Sequence, residues 1–255
     1  MLDPKAVLRS ILALALACGA AFTATGANAS EEVSFTTSDG VSIQATFSHP
    51  KGRARVPAVI LLHQLGGDRH AWNALAHKLT GNNYAVLAID LRGHGGSTAF
   101  GESTRTYKDF SDADYSAMIK DVRAAAAYLR GRKDVNGGRL AVIGASIGAN
   151  LSLQYAAEDM QVRTVVMLSP GLNYRSLKTL PYVETYDKRA LFMVVAEGDA
   201  YSYESCRKIK EAARLASPLK LKVYKGGDHG TALLRTHEGL DEIIIAWLLN
   251  HLVNG

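Results

Sequence analysis

The chain has 255 residues, of which 47% are hydrophobic and 21% charged, and a net charge of +5 from 29 Lys+Arg against 24 Asp+Glu. That length and apolar content suit one α/β domain with a core large enough to need no staples, and they exclude wholesale disorder. Its two cysteines, Cys18 and Cys206, exclude a disulfide framework and a Cys-based zinc site, and the scattered basic residues, not interleaved with aromatics, argue against nucleic-acid binding.

Residues 1–29 read as an export signal outside the fold. Lys5 and Arg9 form a positive start, residues 10–22 an uncharged apolar run, and Ala27-Asn28-Ala29 a small-x-small cleavage site before Ser30. The expected product is a periplasmic or secreted domain over residues 30–255. The apolar run is too short to span a bilayer, and no later stretch is long and apolar enough to do so. A rival reading is a lipobox at Ala15-Leu16-Ala17-Cys18, with Cys18 lipidated. Ala15 stands where Leu is usual, so the plain signal is preferred. The remaining thiol, Cys206, falls on a predicted helix and reads as a small packed residue.

Residues 33–37 and 41–48 read as two strands joined by the turn Ser38-Asp39-Gly40. A continuous apolar run over 56–62 predicts a buried strand. Helical spacing over 69–80 puts Trp72, Leu75, Ala76 and Leu79 on one face. A strand at 84–89 and one long helix at 112–130 follow. Next come a short strand at 140–143, a helix at 148–157, and strands at 162–168, 191–196 and 219–224. Helices are predicted at 203–215 and 238–252. A hairpin followed by strand–helix repeats predicts a mostly parallel sheet, eight-stranded, with helices on both faces. The 20-residue connection from 170 to 189 is too short for a lid domain, which predicts a rather open site.

The strongest chemical signal is Gly144-Ala145-Ser146-Ile147-Gly148, placed between an apolar strand and a helix. So sharp a reversal strains the serine, and side chains two positions either side would collide with the neighbouring strand and helix. The turn lifts the hydroxyl clear of the sheet, above the positive end of the following helix. Composition alone predicts about 0.1 chance occurrences of such a motif per chain, so its placement is what makes it informative. The competing reading is a packing turn with an inert serine.

With this turn the chain resembles the α/β-hydrolase family over residues 33–253, and the resemblance implies a nucleophile–acid–histidine order. Ser146 matches the nucleophile. Asp199, in Glu197-Gly198-Asp199 after an apolar strand, matches the acid, although Glu197 and Asp228 are nearby carboxylates. His229, in Gly226-Gly227-Asp228-His229-Gly230 after the last strand, matches the base. The implied oxyanion hole is the N–H of Ile147 together with that of Leu65, in His63-Gln64-Leu65-Gly66-Gly67. That segment is similar to the family's H-G-x-G-G loop with Gln64 in place of the first Gly. Gln64 either bends the loop or aims its amide at the pocket, and His63 reads as a structural residue. Asp90-Leu91-Arg92-Gly93-His94-Gly95-Gly96-Ser97 resembles a loop-shaping family segment. Tyr107, Phe110, Tyr115, Tyr174, Tyr182, Tyr186, Tyr201 and Tyr203 fall in or near the loops expected to rim the site.

The implied function is an exported serine hydrolase of small or medium carboxylic esters, in the manner of compact esterases and dienelactone-hydrolase-like enzymes. A dienelactone hydrolase proper would have Cys where Ser146 stands. The implied enzyme needs no cofactor or metal. Rival readings are a serine peptidase or amidase, a thioesterase or acyltransferase on the same triad, and a non-catalytic binding module.

Overall fold

The computed structural model describes residues 29–254. The signal expected over 1–29, including Cys18, therefore lies outside the described residues except for Ala29. Strands β1 (Ala29–Thr36) and β2 (Ser42–His49) form the expected hairpin. They are followed by β3 (Val56–Leu62), helix α1 (Asn73–Gly81) and β4 (Ala85–Ile89). Two short strands, β5 (Ala99–Phe100) and β6 (Ser103–Thr104), precede α2 (Asp112–Ser116), α3 (Ile119–Gly131) and β7 (Val135–Ala145). Then come α4 (Ile147–Glu158), β8 (Val162–Leu168), β9 (Asn173–Tyr174), β10 (Leu177–Lys178) and α5 (Leu180–Val183). The chain closes with β11 (Ala190–Ala196), α6 (Ala200–Ala212), β12 (Leu219–Tyr224), α7 (Leu233–Thr236) and α8 (Leu240–Leu248).

Among the described residues the main sheet has eight strands in the order β1-β2-β4-β3-β7-β8-β11-β12. β1 and β2 are antiparallel, and β2 pairs antiparallel with β4; every pairing from β4 to β12 is parallel. The central strands are covered on both faces, so their sequences are continuous apolar runs rather than alternations. Alternate side chains serve two cores. Val59, Leu61, Val166 and Val194 pack with Trp72, Leu79, Ile244 and Trp247 from one layer. Ile60, Leu62, Val165 and Val195 pack with Val122, Ala126, Leu151 and Ile209 from the other. Cys206 is fully buried in this second core, and burial pushes its thiol upward, so it is a packing residue as expected. β12, at the edge, carries Lys220 and Lys222, charges that discourage pairing with another sheet.

Several boundaries differ from the sequence pattern. The helix expected over 69–80 opens as a 3₁₀ turn, Arg69–Trp72, capped by Asp68. The helix expected over 112–130 is two. Met118, Lys120 and Asp121 donate to carbonyls three residues back, which tightens the chain at the junction. β7 begins five residues before the expected 140, because Val135 pairs with Val56 ahead of an irregularity containing Gly137 and Gly138. α6 starts three residues early because Asp199 caps it through the N–H of Ser202. The C-terminal helix ends at Leu248, and a wider π turn, Leu249–Val253, continues it. No helix among the described residues is long and apolar enough to cross a membrane.

The tightest packing lies where β3, β7 and α4 meet. A Cβ on Gly148 would sit 2.3 Å from the Leu62 carbonyl oxygen, and one on Gly144 would sit 2.1 Å from the Gly148 oxygen. Gly148→Ala is expected to cost about 2–3 kcal/mol, because backbone cannot step aside as a side chain can. Gly131→Ala, where a Cβ meets nothing within 4 Å, should stay within about 1 kcal/mol of the parent. Chemical denaturation of the two variants checks this, and equal effects would refute the steric account.

Candidate active site

Ser146 sits between β7 and α4 with φ +54° and ψ −117°, a conformation rare for a side-chain-bearing residue. Its N–H donates to the Leu168 carbonyl of the neighbouring strand at 2.8 Å, which fixes the turn to the sheet. The glycines at 144 and 148 are required as the sequence predicts, one against the helix and the other against β3.

Asp199 and His229 are brought together from the ends of β11 and β12. His229 Nδ1 lies 2.6 Å from Asp199 Oδ2. The loops carrying them are laced by backbone: Glu197 N donates to the Tyr224 carbonyl and Gly198 N to the Gly226 carbonyl. Of the other two carboxylates, Glu197 is exposed at the strand end, and Asp228 faces His237 at 3.7 Å. Asp199 is therefore the group that orients His229. The histidine loop is held against the serine turn: Gly230 N donates to Ser169 Oγ at 3.0 Å, and a Cβ on Gly230 would sit 3.5 Å from the Ala145 side chain.

The loop after β3 is shaped by His63. Its ring receives the Leu91 N–H at Nε2 (3.0 Å), so Nδ1 carries the proton and donates to the Gln64 carbonyl at 2.7 Å. Gly67 N donates to the same carbonyl. A trans peptide points N–H and C=O in opposite directions, so these bonds turn the Leu65 N–H away from His63. Neither Leu65 N–H nor Ile147 N–H has a partner among the described residues, and both residues line one cleft with Ser146. Gln64 does not enter the pocket. Its Oε1 accepts from Thr231 Oγ1 at 3.0 Å, which ties the loop to the histidine loop.

The segment after β4 is structural, as expected. The buried Asp90 carboxylate accepts from Arg69 N and Gly96 N at 2.7 Å each. Arg92 bridges buried Asp121 and Asp39, and this pairing holds the Asp39 carboxyl well below the usual range. His94 stacks on Tyr107 with ring centres 4.2 Å apart. Among the described residues no group of three or more His, Cys, Asp or Glu is arranged to hold a metal.

The expectation of an open site is corrected. Ser146 is only 7% exposed, because the β9–β10 hairpin roofs it. Tyr174 lies edge-on to the His229 ring at 6.2 Å. Its hydroxyl lies 2.9 Å from Ser202 Oγ and has the Ser146 side chain among its polar neighbours. Burial pushes that hydroxyl up to about 12, so it stays a neutral O–H. What remains is a cleft of about 220 Å³ lined by Leu65, Ser146, Ile147, Asn173, Tyr174 and Arg175. Of the expected rim aromatics, Tyr174 reaches the site and Tyr201 braces it through Asn173. Tyr186 is wholly buried, bonded to the Ala190 carbonyl, and Tyr115 bonds the Tyr107 carbonyl. Arg175 has no mark in the sequence pattern, because an arginine in a loop carries no signal of its own.

The family model of the α/β-hydrolase fold matches residues 57–193. The chain belongs to the α/β-hydrolase family. The matched stretch includes the Ser146 turn and ends before Asp199. Among curated proteins, the quorum-quenching protein AidA of Acinetobacter baumannii is 28% identical over 140 residues, covering 54% of this chain and 43% of that protein. An uncharacterised Mycobacterium tuberculosis protein is 31% identical over 155 residues, 60% of this chain and 50% of its own length. This chain thus spans half or less of both relatives. Among solved α/β hydrolases, the Pyrococcus furiosus esterase Pf2001 superposes with a TM-score of 0.73 at 20% identity, covering 88% of this chain and 94% of that one. The dienelactone hydrolase of Anabaena variabilis gives 0.68 at 17% identity, covering 89% and 100%. At such identities these likenesses speak for the fold alone.

His63 is fully buried, and burial lowers it from 6.5 to about 4. The folded protein therefore binds fewer protons than the unfolded chain between these values, so stability falls as pH drops from 6.5 toward 4. The expected loss is up to about 3 kcal/mol. His63→Asn, which cannot titrate, should flatten that part of the profile. Identical slopes in denaturation from pH 7 to 4 would show that His63 is not the linked group.

Proposed function

We propose that this α/β hydrolase is a serine hydrolase that cleaves carboxylic esters of small or medium size. The observation that carries the proposal is a strained serine that shares one cleft with two unpartnered N–H groups, next to a loop that carries an Asp199–His229 pair at 2.6 Å and is held against the serine turn. The likeness to esterases in fold is consistent with it.

In this reading Ser146 Oγ attacks the ester carbonyl carbon while His229 Nε2 takes the hydroxyl proton. Asp199 accepts from Nδ1–H, which fixes the tautomer and stabilises the imidazolium. The carbonyl π electrons move to the oxygen, which the N–H groups of Leu65 and Ile147 receive. Collapse re-forms the carbonyl, breaks the bond to the alkoxy oxygen, and the imidazolium proton leaves with the alcohol. Water then repeats the sequence on the acyl-enzyme, with His229 as base, and releases the acid and free Ser146. The roof favours compact substrates, since the cleft has room for a short acyl group beside Ser146.

We also propose export, read from residues 1–29. Cell fractionation with N-terminal sequencing tests it: a mature start at Ser30 supports the plain signal, and a lipidated Cys18 supports the alternative.

The test of the chemistry is labelling by a fluorophosphonate. The parent should be modified at Ser146, and Ser146→Ala should not. Asp199→Asn should keep the fold and lose about 10³–10⁴-fold in kcat on a chromogenic ester. A well-folded parent that resists labelling and leaves short-chain esters intact would sink this reading and revive the binding module.

A further inference from the structure

The roof places one charged side chain at the cleft. Tyr174 pairs with Leu177 and Asn173 with Lys178, leaving Arg175 and Ser176 as a two-residue turn. Their φ values are +49° and +69°, both left-handed. A turn of this kind ordinarily carries Asn-Gly, because a Cβ crowds the backbone in that region. Here an arginine takes the first position, and Arg175 is one of the residues lining the cleft with Leu65, Ser146 and Ile147.

The hairpin is held rigidly from both sides. Asn150 Nδ2 on α4 donates to the Leu177 carbonyl at 2.7 Å, and Gln154 Nε2 donates to that of Lys178 at 3.1 Å. Asn150 Oδ1 accepts from Gly171 N at 3.0 Å. From α6, the Tyr201 hydroxyl both accepts from Asn173 N and donates to the Asn173 carbonyl. Arg175 is thus presented by an anchored turn, not by a loose loop. Its guanidinium lies 5.7 Å from the centre of the Tyr115 ring and makes no ion pair with any described carboxylate. Asp199, the acid behind the cleft, is engaged by His229.

We infer that Arg175 is a specificity residue that receives a carboxylate on the substrate, so that the preferred esters carry a negative charge near the scissile bond. A guanidinium offers two parallel N–H donors, which match both oxygens of a carboxylate. The anchored turn fixes the backbone from which the exposed Arg175 side chain is presented, so little backbone ordering is lost on binding. The inference rests on the serine-hydrolase reading for its kinetic test and has a binding test that does not.

The kinetic test compares matched esters: mono-4-nitrophenyl glutarate against 4-nitrophenyl butyrate for charge on the acyl side, and 4-acetoxybenzoate against phenyl acetate for charge on the alcohol side. The parent should prefer the anionic member of at least one pair, and which pair tells where the carboxylate sits. Arg175→Gln should raise KM for that ester about 10–100-fold and leave its neutral partner within about 2-fold. Arg175→Lys should recover part of the difference. Arg175→Gly, which suits the turn, should behave as Arg175→Gln while matching the parent in thermal stability. A parent that favours both neutral esters, or a Gln variant that slows charged and neutral esters alike, would overturn the inference.

The binding test uses Ser146→Ala and monomethyl glutarate in a calorimeter. Saturable binding that disappears with Arg175→Gln supports the site, and heat that is absent or indifferent to Arg175 overturns it. If no ester is cleaved and no fluorophosphonate is taken up, the hydrolase reading has failed, and this titration alone decides Arg175.

Discussion

Everything at the site depends on backbone passing backbone without room for a Cβ. Gly148 lies against the Leu62 carbonyl and Gly144 against the carbonyl of Gly148. That contact brings the ends of β3 and β7 and the start of α4 to one point. It sets Ser146 and the Ile147 N–H on one side and the Leu65 loop on the other. The strained φ of Ser146 is the local cost of this convergence, held in place by the sheet bond to Leu168 and by a helix buried on nearly every side. Because α4 is buried all round, its polar residues have to find internal partners. Asn150 and Gln154 find theirs in the backbone of the roof hairpin. The helix that follows Ser146 therefore also anchors its cover.

The sheet was legible because parallel strands buried on both faces leave an unmistakable mark, and runs such as 56–62 and 190–196 carry it. The serine turn was legible because steric demand and residue identity coincide there: only Gly fits at 144 and 148. Asp199 and His229 were placed through the family resemblance, and the structure brings the two side chains into contact.

What stayed hidden has physical reasons. The roof turn uses Arg175-Ser176 in place of the Asn-Gly that would have announced a hairpin, and tertiary bonds from α4 and α6 override the local preference. With the roof unseen, the connection between β8 and β11 looked like plain loop and the site looked open. Gly137 and Gly138 concealed the first half of β7, since two glycines in a strand read as a turn. The split between α2 and α3 was hidden because its residues, Ala117 and Met118, are good helix formers.

Gln64 shows how a departure from a family pattern can be informative without touching the chemistry. At a position where the resembling loop has glycine, a side chain leaves the pocket and grips Thr231, two residues after His229. The His63 ring and Gly67 N hold the Gln64 carbonyl, and Gln64 Oε1 holds Thr231. One residue thus sets the direction of the Leu65 N–H and the position of the loop that carries His229. In the proposed reaction an oxyanion donor and a general base have to be correct at the same instant, since charge develops on the carbonyl oxygen as the proton leaves the serine. Coupling the two loops through one amide makes a displacement of either a displacement of both. Glycine could shape the first loop but could not reach the second.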